Sequence, residues 1–151
     1  MANQPPPRND VSFETTLLVR DTCLCLQTQR AARSLARRFD LALRPVGLTN
    51  GQFSLLMSLN RPQPASIGAV ALTLAMDRTT VTAALKPLER RALVSQSADS
   101  TDRRSRLLAL TAEGHAVLQK ALPIWRAVHG EIDGVLGRDL PGLYRGLAAL
   151  V

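Results

Sequence analysis

Two short helical segments separated by a three-residue turn constrain this chain more than any other feature of its 151 residues. Ser66 is placed to cap a helix of about Ile67–Leu74, whose apolar side carries Ile67, Val70 and Ala71. Ala75-Met76-Asp77 forms the turn, and Asp77 is placed to cap a further helix running to about Arg91. Two short helices joined in this way read as a helix-turn-helix.

The flanks fit one small domain with helical ends. Residues 1–10 are polar and Pro-rich and are expected to form a disordered arm. From Val11 to about Phe39 there is no Pro or Gly. Leu17, Leu24, Thr28, Ala31 and Leu35 fall at helical spacing there, which predicts one long amphipathic helix that needs a partner surface. Arg44-Pro45-Val46-Gly47 ends it, and Thr49 caps a helix of about Asn50–Asn60 with Phe53, Leu56 and Met57 inward. Arg61-Pro62-Gln63-Pro64 is a loop. After the helix-turn-helix, Leu93–Gln96 and Arg106–Leu110 read as a two-stranded hairpin around the connecting segment Ala98–Arg104. Thr111 caps a long helix to about Gly130 with a kink at Pro123, and a last short helix ends at Leu147–Val151.

Charge is unevenly placed along this frame. The net charge is +7, and 17 of the 19 basic residues are arginine, the better residue for forked contacts to phosphate. Between Arg30 and Arg106 there are 13 basic and 5 acidic residues, whereas the rest of the chain is close to neutral. The middle of the chain therefore suits a polyanion-binding surface, although charge alone does not separate this from general Arg-richness. With aromatics at 3% the core must be aliphatic. The longest near-apolar stretch, Ser66–Met76, is too short to span a bilayer, and no secretory signal pattern opens the chain, so a cytoplasmic protein without a membrane partner is expected.

The helix after Asp77 is the most informative segment. Its Val81, Ala84, Leu85 and Leu88 fall on one side, and Thr79, Thr82, Ala83, Lys86 and Arg90 fall opposite. That second face is small, hydroxylated or basic and holds no acid, as entry into a major groove requires. Arg78 lies in the first turn, where recognition helices meet base edges. Pro87 should bend the end of this helix. The hairpin connection carries Asp99, Asp102, Arg103, Arg104 and Arg106. An Arg-bearing tip of this kind suits a minor groove, and Asp102 would orient a neighbouring guanidinium.

Taken together, these residues resemble the MarR family of bacterial winged-helix transcriptional regulators over nearly all of Leu17–Val128. The matching stretches are Leu48–Leu56, Met76–Thr82, Lys86–Val94 and Asp102–Gly114. The last holds an Asp-x-Arg wing signature followed by Leu-Thr-x-x-Gly. Lys86-Pro87-Leu88-Glu89-Arg90 looks like a form used by one branch, but Ala83 and Ala84 stand where that branch carries larger or polar residues. The resemblance implies a mostly α (α+β) fold and a homodimer on double-stranded DNA, with one recognition helix per major groove and Arg104 in the minor groove. It implies a helical dimerisation region, 11–44 and 111–151, around a winged helix-turn-helix lobe, 45–110. It also implies a small aromatic acid or phenol bound between the dimer helices and that lobe.

Cys23 and Cys25 are two residues apart in the first helix and face different ways. The peroxide-sensing branch of the family carries a reactive Cys near the Cys25 position, held by tyrosines. Here the residue four further on is Gln29, and the only tyrosine is Tyr144. Oxidant sensing and plain packing both stay open for this pair. His115 and His129 have no acidic or Cys partner at ligand spacing, so no metal site is expected, and Trp125 is read as core. No catalytic motif or cofactor-binding loop is found. The expected function is a DNA-binding transcriptional regulator, a repressor released by a small ligand or by thiol oxidation. The DNA-contacting set is Arg78, Thr79, Thr82, Lys86, Arg90, Asp102, Arg103 and Arg104. The alternatives are an architectural, sequence-tolerant DNA-binding dimer without a signal and a protein-interaction module.

Overall fold

The computed structural model describes residues 11–99 and 106–151. The expected arm, 1–10, and the hairpin residues Asp102, Arg103 and Arg104 lie outside the described residues. The chain divides into two compact units, Met1–Ala36 and Arg37–Val151.

In the first unit, the single long helix expected from Val11 to Phe39 is two. Helix α1 (Phe13–Thr22) is capped by the Ser12 hydroxyl, which accepts from the Thr15 amide. It stops at Cys23, whose backbone turns extended (φ −70°, ψ 105°), and α2 (Leu24–Leu43) then starts afresh. Neither Pro nor Gly marks the break. The groups it frees are satisfied locally: the Gln27 side-chain amide donates to the Arg20 carbonyl at 2.6 Å and the Gln27 backbone amide to the Cys23 carbonyl at 3.0 Å. Cys23 therefore lies outside either helix.

The second unit begins within α2. A 3-10 turn, Arg44–Val46, leads to Gly47 in the left-handed region (φ 68°), a conformation that favours glycine. Helix α3 (Asn50–Ser58) starts with a complete capping box between Thr49 and Gln52, and the Asp40 carboxylate at the end of α2 accepts from the Asn50 amide at 2.6 Å. On α3 the inward residues are Phe53, Leu55 and Leu56; Met57, expected inward, is exposed.

Next come β1 (Ala65–Ser66), α4 (Ile67–Thr73) and α5 (Arg78–Arg90). Ser66 and Asp77 cap the two helices as expected, and Ala75 takes positive φ (50°) in the turn between them. Helix α5 continues through Pro87 to Arg90. Strands β2 (Val94–Ala98) and β3 (Arg106–Leu110) pair antiparallel, with Val94 opposite Leu110 and Ala98 opposite Arg106. The hairpin has a third strand that its sequence did not advertise: β1 pairs antiparallel with β3, giving the order β1-β3-β2. Two residues are too few for a period-2 pattern, so only packing reveals this strand. Helix α6 (Ala112–Leu136) is capped by Thr111, runs through Pro123 and ends at Leu136, six residues beyond the expected end, with Gly137 as its C-cap. Helix α7 (Leu140–Ala148) closes the chain.

The core is aliphatic, as composition required. Leu43, Leu55, Leu56, Val70, Val81, Leu85, Leu88 and Leu108 are essentially inaccessible. They draw α3, α4, α5, the sheet and the end of α2 into one cluster with α6. The rigid body this makes holds α5 by its buried face and leaves its other face to solvent.

Candidate nucleic-acid interface

Asp77 sets the geometry of the exposed face of α5. Its carboxylate accepts from the Thr80 amide at 2.8 Å and from the Thr80 hydroxyl, which fixes the first turn. These bonds, with that of the hydroxyl the largest, hold the Asp77 carboxyl below the usual carboxylate range. Beyond this cap, Val81, Leu85 and Leu88 are buried and Ala84 packs against them. Arg78, Thr79, Thr82, Ala83, Lys86 and Arg90 are all exposed. Five of them, Arg78, Thr79, Thr82, Ala83 and Lys86, line one open groove of about 300 Å³.

Hydrogen bonds within α5 and to its neighbours frame that face. The Thr82 hydroxyl donates to the Arg78 carbonyl at 2.8 Å, one turn back on the helix. The one acid of α5, Glu89, accepts from the Gln96 side chain on β2, so no carboxylate competes with an anion on the exposed face. Arg91, which the sequence did not single out, donates to the Gly47 carbonyl at 2.7 Å and ties the end of α5 to the turn before α3. Arg106 is exposed at the start of β3, opposite Ala98.

A second feature lies between α3, the end of α4 and α6. A cavity of about 400 Å³ is lined by Phe53, Met57, Leu74, Leu122 and Trp125, with hydroxyls from Ser54, Ser58 and Thr73. Ser58 and Thr73 donate those hydroxyls to carbonyls of their own helices, at 2.7 and 2.9 Å. Trp125, expected in the core, is half-buried: it stacks on Phe53 with centroids 6.4 Å apart and lies 4.3 Å from the His129 ring. His129 continues the row to Phe39, and, contrary to the expectation that it lacks an acidic partner, its Nδ1 lies 3.7 Å from the Asp133 carboxylate one turn on; His115 is exposed. Among the described residues no group of three His, Cys, Asp or Glu is placed to hold a metal ion.

The cysteines are both free thiols. Cys25 is exposed on α2, and its Sγ accepts from the Gln29 amide at 3.2 Å; Gln29 in turn accepts from Arg33 at 3.3 Å. Cys23 is half-buried at the helix break.

A helix-turn-helix backed by a three-stranded antiparallel sheet, with a second helix whose exposed face is cationic, defines a winged-helix DNA-binding protein. Residues 48–105 match the model of the MarR family. The crystal structure of the M. tuberculosis transcriptional regulator MosR in complex with DNA is 41% identical and superposes with a TM-score of 0.78, over 85% of this chain and 92% of that one. The transcriptional activatory protein BadR of Rhodopseudomonas palustris is 34% identical over 115 residues, which cover 74% of this chain and 66% of BadR. The organic hydroperoxide resistance transcriptional regulator of Bacillus subtilis is 26% identical, over 85% of this chain and 86% of its own. The chain belongs to the MarR family and is a DNA-binding transcriptional regulator, not an enzyme. No helix among the described residues is long and apolar enough to cross a membrane.

Proposed function

We propose that the chain acts as a homodimeric repressor in the cytoplasm that reads an inverted-repeat operator. Each protomer would place α5 in a major groove, with Arg78, Thr79, Thr82, Lys86 and Arg90 facing the duplex. Asp102, Arg103 and Arg104 of the hairpin connection would meet the flanking minor groove, Asp102 orienting a guanidinium. The region 45–110 would be the DNA-binding lobe, and 11–44 with 111–151 the dimerisation region. The observation that carries this reading is the exposed face of α5, where Arg78, Lys86 and Arg90 lie outward while the helix's one acid, Glu89, is bonded to Gln96.

Release would come from a small ligand or from thiol oxidation. The cavity beside Trp125 has the size of a small-molecule site and an apolar, aromatic wall. No cation lines it, so a neutral phenol-like ring suits it better than a carboxylate. For the oxidative route, Cys25 is exposed and accepts a hydrogen bond from an amide that is itself bonded to Arg33.

Sequencing the DNA selected by the purified protein, followed by the ratio of specific to random-duplex affinity at one fixed salt concentration, tests the central reading. A ratio of about 10³ or more is expected of an operator-reading regulator. A ratio near one identifies an architectural coat protein, and no binding at all leaves a protein-interaction module.

A further inference from the structure

Gly68, the second residue of α4, lies directly under the side chain of Arg78, the first residue of α5. A β-carbon built on Gly68 would stand 3.1 Å from Arg78 Nη2, 3.5 Å from Cζ and 3.5 Å from Nε. Three atoms of one guanidinium at nearly equal distance mean that the flat group lies across the glycine. Helical side chains lean toward the N-terminus of their own helix, and here that lean carries Arg78 back over α4. Its backbone has no freedom to compensate: Asp77 caps the turn and Thr82 bonds the Arg78 carbonyl.

We propose that Gly68 is a positioning residue for base reading: by lacking a side chain, it seats the Arg78 guanidinium and aims its fork at one base step of the major groove. The base that offers two acceptors to such a fork is guanine, through O6 and N7. This inference rests on the proposed role of α5 in the major groove. It assigns the selectivity of Arg78 to the other helix of the motif. A methyl group at residue 68 would lift the guanidinium by a few tenths of an ångström, the far end of a flexible side chain giving way while the backbone stays. Two parallel N–H···O/N bonds to a flat base edge tolerate such a shift poorly, whereas a phosphate contact tolerates it well. Alanine also suits a helix better than glycine, so the fold itself should gain slightly.

The test compares wild type, Gly68→Ala, Arg78→Ala and the double variant on three duplexes: the selected operator, the operator with each half-site guanine exchanged in turn, and a random sequence. Arg78→Ala should lose about 5- to 150-fold discrimination at one guanine per half-site. Gly68→Ala should lose at least about three-fold at that same guanine while keeping random-duplex affinity and a melting temperature at or above wild type. The double variant should match Arg78→Ala. If Arg78→Ala keeps full discrimination, Arg78 does not read a base and both readings fall. If Arg78→Ala loses it but Gly68→Ala does not, only the role of Gly68 falls. A Gly68→Ala effect that persists in the Arg78→Ala background, or a Gly68→Ala protein that does not fold, assigns the glycine to α4 packing and overturns the proposal.

Discussion

The backbone carbonyl of Leu93 occupies the space that a β-carbon on Gly114 would need. The same carbonyl accepts from the Thr111 amide at 3.2 Å, and the Thr111 hydroxyl donates to the Ala92 carbonyl at 2.6 Å while accepting from the Gly114 amide at 3.0 Å. The start of α6 is thereby laid against the segment joining α5 to β2. The Leu-Thr-x-x-Gly run that marks the family in this sequence thus has a packing reason at its last position. Gly114→Ala should cost about 1–3 kcal/mol or more, because backbone rather than a side-chain tip must move. Gly51→Ala on α3, with nothing within 4 Å of its added carbon, should instead gain up to about 1 kcal/mol. Urea denaturation of both variants checks the contrast; equal stability of the two would refute the close approach.

The lowered Asp77 carboxyl makes a statement about pH. A carboxyl whose value in the folded state lies below its unfolded value stabilises fully above the ordinary carboxylate range. That contribution is lost as pH falls through the lowered folded value. The difference in melting temperature between wild type and Asp77→Asn should therefore be constant from about pH 8 to pH 5 and shrink below about pH 4. A difference that stays constant down to pH 2 would show that the ionised form is not what caps α5.

Association follows from unpartnered apolar faces. Leu24 and Leu35 are exposed on α2, as are Leu143, Tyr144 and Leu147 on α7 and Leu150 beyond it. A two-fold dimer burying them is expected, with operator half-sites about one helical turn apart. Light scattering should give twice the 16.4 kDa chain mass at micromolar concentration. A stable monomer would sink the dimer and the inverted repeat with it.

Peroxide should release operator DNA from wild type and from Cys23→Ser but not from Cys25→Ser. The exposed thiol with the Gln29–Arg33 relay is the reactive one in this reading. If all three proteins keep their DNA under peroxide, both cysteines are packing residues, and phenols should be titrated against wild type and Trp125→Ala instead.

Arg104 should contribute through the minor groove. Arg104→Ala is expected to weaken operator and random duplexes alike, by about 1–3 kcal/mol beside an A·T-rich flank, and to make the salt dependence of binding shallower. Titrations at two salt concentrations decide this, and unchanged binding throughout would remove Asp102 and Arg104 from the interface.

The sequence was sufficient wherever a local rule acts without competition. Thr49, Ser66, Asp77 and Thr111 each cap the helix that follows, because a side-chain oxygen three residues before a free amide needs no distant partner. The two faces of α5 were legible for the same reason: a period of 3.6 sorts Val81, Leu85 and Leu88 from Thr79, Thr82 and Lys86 whatever lies beneath. Other features depended on residues far apart in the chain. Strand β1 exists only because Ala65 and Ser66 meet Leu108 and Leu107, and a two-residue strand has no pattern of its own. The break at Cys23 lacks any Pro or Gly, and its freed carbonyls are taken up by the backbone and side chain of Gln27. That Glu89 of α5 accepts from Gln96 of β2 likewise depends on the strand packed beside the helix. Gly68 under Arg78 is the same kind of fact: a glycine in a helix is a weak local signal, and its use is set by which side chain the neighbouring helix lays across it.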